Sequence, residues 1–203
     1  MRLESAAPLQ TRNIRIPEVN AVISTLKKTC PPCLVLIAAL LFAQTALAAQ
    51  TTVGGTVSRG ESDSMAYSLD VTQSYEPWIS NEICQLAPLA ELGGHAWTPD
   101  DSDDDTVWGA HLGVGVRFTL FTNKILRPFL EGTVGGAVNS EDNMGPRDLG
   151  SNVLFRTRGA VGLNFGESYQ HTVRGDVVHH TTWGLTNTDD GYTNYGLSYG
   201  YSF

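Results

Sequence analysis

The residues with the clearest chemical potential lie near the end of the chain. In "VVHHTTWG", residues 177 to 184, His179 stands two residues before Thr181 in a run with the alternation of a β-strand. Residues i and i+2 of a strand project side by side from one face, about 6.5 Å apart at the backbone, so an imidazole can reach the neighbouring hydroxyl. A hydroxyl beside a base is the arrangement of an activated nucleophile. Counting from Val173, the face with His179 and Thr181 also carries Val173, Gly175 and Val177, while Arg174, Asp176, Val178, His180 and Thr182 share the opposite face. Thr193, by the alternation of the last strand, lies on the same face as His179. Two readings stay open at this point: a nucleophile with its base, or interfacial polar side chains near lipid headgroups, where such residues cost only about 0–1 kcal/mol.

The elements that must position these residues alternate with period two in segment after segment. Met65, Tyr67, Leu69 and Val71 form one apolar series, and Trp108, Ala110, Leu112, Val114, Val116 and Phe118 another. Leu130, Val134 and Val138 follow, then Val153, Phe155, Val161, Leu163 and Phe165, and last Tyr195, Leu197, Tyr199, Tyr201 and Phe203. With residues 51–58, 86–97 and 171–181 this predicts eight strands, each with one apolar face. The opposite faces carry Asp70, Glu91, Glu131 and Asp176 against Arg117, Arg156, Arg158 and Arg174. A soluble sandwich has no need of such a balance, whereas a small membrane barrel turns its apolar face to lipid and pairs its charges within. The expected fold is therefore all-β, an eight-stranded antiparallel transmembrane barrel with a plugged interior. Connections at 73–81, 120–127 and 166–170 would be periplasmic. The longer ones at 59–64, 98–105, 139–151 and 182–192 would be extracellular, and Tyr199, Tyr201 and Phe203 would form a periplasmic aromatic girdle.

Residues 1–48 read as an N-terminal extension and an export signal. Lys27 and Lys28 form the basic part, Leu34 to Ala43 the apolar part, and Ala46-Leu47-Ala48 the cleavage site. The ten apolar residues are too few for a spanning helix. The barrel domain is then 49–203, which holds all 21 glycines and only Cys84 of the three cysteines, so no internal disulfide is expected. Its 8 basic against 19 acidic side chains, a formal charge of −11, argue against nucleic acid as a partner.

Other candidate sites are weaker. The run "DDSDDD" at 100–105 alternates like a calcium loop, but Thr106 stands where the turn glycine is required and Leu112 where the bidentate glutamate is, so it reads as a solvated acidic loop. Glu91 and Glu131 resemble an acid/base pair until the inward arginines are counted. Gly113-Val114-Gly115 lies within a strand and is no phosphate loop. His95 and His111 point inward as parts of a polar interior. No metal and no cofactor is expected.

The stretch from Arg127 to Phe203 resembles the lipid A 3-O-deacylase family, outer-membrane barrels that hydrolyse an ester-linked acyl chain of lipid A. The matching pieces are "RPFLEG" at 127–132, "LGSNVLFRTRGAVGLNF" at 149–165, "HHTTWGL" at 179–185 and "DDGYTNYGLSYGYSF" at 189–203. They cover about half of the barrel domain; the first four strands match mainly in pattern. The resemblance implies a His-x-Ser pair on the lipid face near the outer rim, with a Glu twelve residues after the Ser to orient the histidine. His179 matches the histidine, Thr181 stands at the serine and Thr193 at the glutamate. Backbone N–H groups around Thr182 and Gly184 would form the oxyanion hole; the side-chain amide common at position 182 is absent. Asp189 or Asp190 would replace the lost carboxylate. The implied function is an outer-membrane lipid A deacylase with lipopolysaccharide as partner. The alternative is a non-catalytic outer-membrane barrel with a structural or surface-interaction role.

Overall fold

A computed structural model describes residues 48–61, 64–99, 106–121, 125–144, 147–186 and 191–203. Residues 1–47 of the proposed extension and export signal, the acidic run at 100–105, and Asp189 and Asp190 lie outside the described residues, whereas Ala48, the last residue of the proposed cleavage site, already begins the first strand. Eight long strands are present: β1 (Ala48–Gly60), β2 (Met65–Tyr75), β3 (Cys84–Thr98), β4 (Val107–Leu120), β5 (Arg127–Asn139), β6 (Val153–Phe165), β7 (His171–Thr181) and β8 (Tyr192–Ser202). Each pairs antiparallel with its sequence neighbours, and β1 pairs with β8, Thr52 opposite Ser202, which closes the sheet. The result is an up-and-down barrel without an open edge.

At 11 to 15 residues the strands reach the length a tilted strand needs to cross a bilayer. They run further than the apolar alternation alone indicates. β2 continues to Tyr75, past the predicted connection at 73, because Gln73 and Ser74 still find register partners in Ala90 and Leu89. The long 139–153 connection holds its own two-residue ribbon, Asn143–Met144 with Arg147–Asp148.

Every apolar series points outward. Leu69, Leu112, Val134, Val161 and Leu197 are all exposed, forming the band that lipid covers. Every predicted inward charge is buried, and the eight form one network. Arg158 contacts Glu91, Glu131 and Asp176. Arg156 pairs with Glu91, and Arg117 Nε–H donates to Glu131 Oε2 at 2.7 Å. Arg174 bridges Asp176 at 3.0 Å and Glu131 at 3.5 Å. Water-excluded carboxylates are tolerable only with such partners. Above the network, at the end where His179 lies, Ala66, Trp97, Val107, Leu149, Leu154 and Tyr192 form a buried apolar cluster, with the Tyr192 hydroxyl bonded to that of Ser64. This cluster closes the interior at that upper end. The lower end opens into a polar cavity of about 380 Å³ near Arg117 and Arg127.

Candidate functional site on the lipid-facing wall

The two histidines of the opening stretch part company at the strand, as the pleat requires. His180 turns inward, where it is buried with its ring edge-on to Trp97 at 4.9 Å. His179 turns outward and is exposed. Its register partner on β8 is Thr193, and His179 Nδ1 lies 3.0 Å from Thr193 Oγ1. A strand pairing therefore places together two residues fourteen apart in sequence. When Nδ1–H donates to the threonine oxygen, the lone pair of Nε2 is left free to accept a proton. A neutral hydroxyl fixes that tautomer, but it lacks the charge with which a carboxylate stabilises imidazolium.

Thr181 is the last residue of β7 and faces the same side, half-buried, with Phe155 of β6 as its register partner. The chain then turns sharply. Leu185 N–H donates to Thr182 O at 3.2 Å, and Trp183 (φ 57°) and Gly184 (φ 74°) both adopt left-handed backbone, which makes a type I′ turn. Within it the Trp183 N–H donates to Thr181 Oγ1 at 2.9 Å. That bond is made to the hydroxyl oxygen of Thr181 itself, a different position from the ester oxyanion for which the N–H groups around Thr182 and Gly184 are the expected donors. Thr182 itself is buried, its hydroxyl 3.0 Å from that of Thr186.

Gly191 closes the connection from above. Its φ is +54°, and a Cβ there would lie 3.1 Å from His179 Cε1 and 3.5 Å from Nε2, so Gly191 lies close to the Cε1–Nε2 part of the imidazole and a side chain there would crowd it. Arg147 Nη1–H donates to Gly191 O at 2.9 Å while pairing with Glu61 at 3.3 Å, which ties three upper connections together beside His179. Sequence reading missed Gly191, Arg147 and Trp183, because left-handed turns and loop-to-loop contacts leave no periodic signal; the Trp-Gly dipeptide at 183–184 was the one available hint.

The remaining candidates lie inside the barrel. His95 Nδ1 is 3.2 Å from His111 Nδ1, and His111 Nε2 is 2.8 Å from Asp70 Oδ1. Among the described residues no group of three His, Cys, Asp or Glu is arranged to hold a metal. Glu91 and Glu131 share Arg158 and face no surface.

An apolar exterior, a salt-bridged interior and a closed eight-stranded meander together define a small outer-membrane β-barrel. Known proteins narrow the class. Residues 62–202 match the family described as lipid A 3-O-deacylase (PagL). The lipid A deacylase PagL of Pseudomonas aeruginosa is 27% identical over 176 residues, 86% of this chain and 98% of that protein. The crystal structure of the outer-membrane enzyme PagL superposes with a TM-score of 0.66 at 22% identity, covering 74% of this chain and 98% of that one. Neisserial surface protein A has the same fold, with a TM-score of 0.54 at 12% identity over 75% of this chain and 94% of its own. The chain belongs to the lipid A 3-O-deacylase family, an outer-membrane family of ester hydrolases.

Proposed function

We propose that this barrel hydrolyses an ester-linked acyl chain of lipid A, with Thr181 as nucleophile, His179 as general base and Thr193 as the residue that orients the imidazole. The observation that carries the proposal is the 3.0 Å contact from His179 Nδ1 to Thr193 Oγ1 on the lipid face, two residues along the strand from Thr181 on that same face. His179 Nε2 takes the proton from Thr181 Oγ1 as that oxygen adds to the ester carbonyl. The oxyanion is met by backbone N–H groups of the 182–184 turn. Collapse expels the sugar alkoxide, which recovers the proton from His179, and water then hydrolyses the threonyl ester by the same route in reverse. Asp189 or Asp190 supplies the missing negative charge; they stand two and one residues before Gly191, at which a Cβ would lie 3.1 Å from His179 Cε1.

The second reading, a barrel without this activity, draws on the same contact, since a hydroxyl partner leaves imidazolium uncompensated. Lipid A extracted from a Gram-negative host expressing the chain decides between them by mass spectrometry. Loss of one acyl chain that disappears in both His179→Ala and Thr181→Ala supports hydrolysis. Thr193→Glu, alone or with Thr181→Ser, should raise the rate by on the order of 10²- to 10⁴-fold, the scale of losing a triad carboxylate. If every variant reaches the outer membrane and none alters lipid A, the barrel is not a deacylase.

A further inference from the structure

Trp183 sits in an unusual backbone position. A large side chain at φ 57° occupies a turn position dominated by glycine, asparagine and aspartate, and the residue is 76% exposed. An aromatic that only anchors a barrel at the headgroups needs no such conformation. Here the conformation achieves two things at once. It aims the Trp183 N–H at Thr181 Oγ1, and it lays the indole edge-to-face on Phe155 with ring centroids 5.2 Å apart.

The two sides of β7 therefore differ. Thr193 on β8 holds the imidazole from one side, whereas Phe155 on β6, the register partner of Thr181, flanks the nucleophile from the other. The chemistry gives these sides meaning. The group that protonates the leaving alkoxide is the histidine, held by Thr193 from the β8 side, which places the alcohol of an ester toward β8 and leaves the β6 side of the nucleophile, with Phe155 and Trp183, to the acyl chain. Further along the outer face of β6 come Thr157, Gly159 and Val161. A Cβ at Gly159, or at its β5 partner Gly132, would meet no atom within 4 Å. A chain that passes the aromatic pair can continue along the barrel wall without obstruction.

We infer that Phe155 and Trp183 form an aromatic wall that seats the acyl chain of the ester and so determines which chain lengths the site accepts. This rests on the proposed Thr181–His179 chemistry. In detergent, the ratio of kcat/KM for p-nitrophenyl decanoate to that for p-nitrophenyl butyrate should fall about tenfold or more in Trp183→Gly and in Phe155→Ala. Trp183→Gly suits the left-handed backbone, and retention of the heat-shifted electrophoretic band shows that the barrel remains folded. An unchanged ratio in both variants overturns the inference and leaves Trp183 as an interfacial anchor.

If neither the natural chain nor Thr181→Ser/Thr193→Glu turns over any ester, the hydrolase reading fails, and the wall is then tested by binding. In a Trp78→Phe/Trp108→Phe background, Trp183 is the exposed tryptophan, since Trp97 is buried at 1% exposure. Saturable quenching of its fluorescence by a dibrominated fatty-acid methyl ester, abolished by Phe155→Ala, supports the wall. Quenching that rises linearly with the ester's share of the micelle and is the same in Phe155→Ala overturns it.

Discussion

Replacing Arg158 by methionine removes the charge at the centre of the interior network while filling much of its volume. Arg158 contacts Glu91, Glu131 and Asp176. In its absence Glu91 keeps Arg156, Glu131 keeps Arg117 and Arg174, and Asp176 keeps Arg174. No carboxylate is orphaned, but the described interior gains one uncompensated negative charge. Removing one partner of a buried pair costs about 3–5 kcal/mol, and the retained partners place this case at the lower end, about 3 kcal/mol. For a denaturant slope of about 2 kcal/mol/M, the urea midpoint in lipid vesicles should fall by about 1.5 M. Arg156→Met, which loses only the Glu91 contact, should fall less. Adding Glu131→Gln to Arg158→Met restores neutrality and should recover more than half of the loss, a coupling that a double-mutant cycle measures directly. The readouts are tryptophan fluorescence and the heat-shifted electrophoretic band. Midpoints equal within error for both arginine variants would refute the reasoning and show these side chains to be solvated as in an open pore.

Three glycine variants test the geometry, and two aspartate variants test the proposed replacement charge. Gly162→Ala should destabilise the barrel by about 1–3 kcal/mol, read as a lower unfolding midpoint, because its Cβ would lie 2.3 Å from the Phe129 ring and 2.7 Å from Val173 O. Gly132→Ala, which meets nothing, should be neutral or stabilising by about 0.5–1 kcal/mol; equal effects at the two sites would contradict the packing. Gly191→Ala strains a left-handed backbone and crowds His179, so deacylation of lipid A should fall while the heat-shifted band is retained. Asp189→Asn or Asp190→Asn should lower the same activity at least tenfold if either carries the replacement charge; unchanged rates in both leave Thr193 alone as the orienting residue.

Much of this molecule is legible in one dimension because a strand has a period of two. That periodicity alone separated Leu69, Val114 and Leu197 from Asp70, Arg117 and Arg174, and so yielded eight strands, an apolar exterior and a neutral polar interior. It also set His179 and His180 on opposite walls. Residue types and spacing, with the family resemblance, singled out His179, Thr181 and Thr193. Pairing across strands required the tertiary structure. Which acid meets which arginine depends on register, and the meeting of His179 with Thr193 depends on β7 and β8 being in step. The turn that follows Thr181 is further still from sequence, since a tryptophan at φ 57° contradicts local preference and is held by what surrounds it. Local periodicity encodes which face a side chain takes; its neighbours on that face come from closure of the barrel, where register and loop contacts bring distant residues within hydrogen-bonding distance.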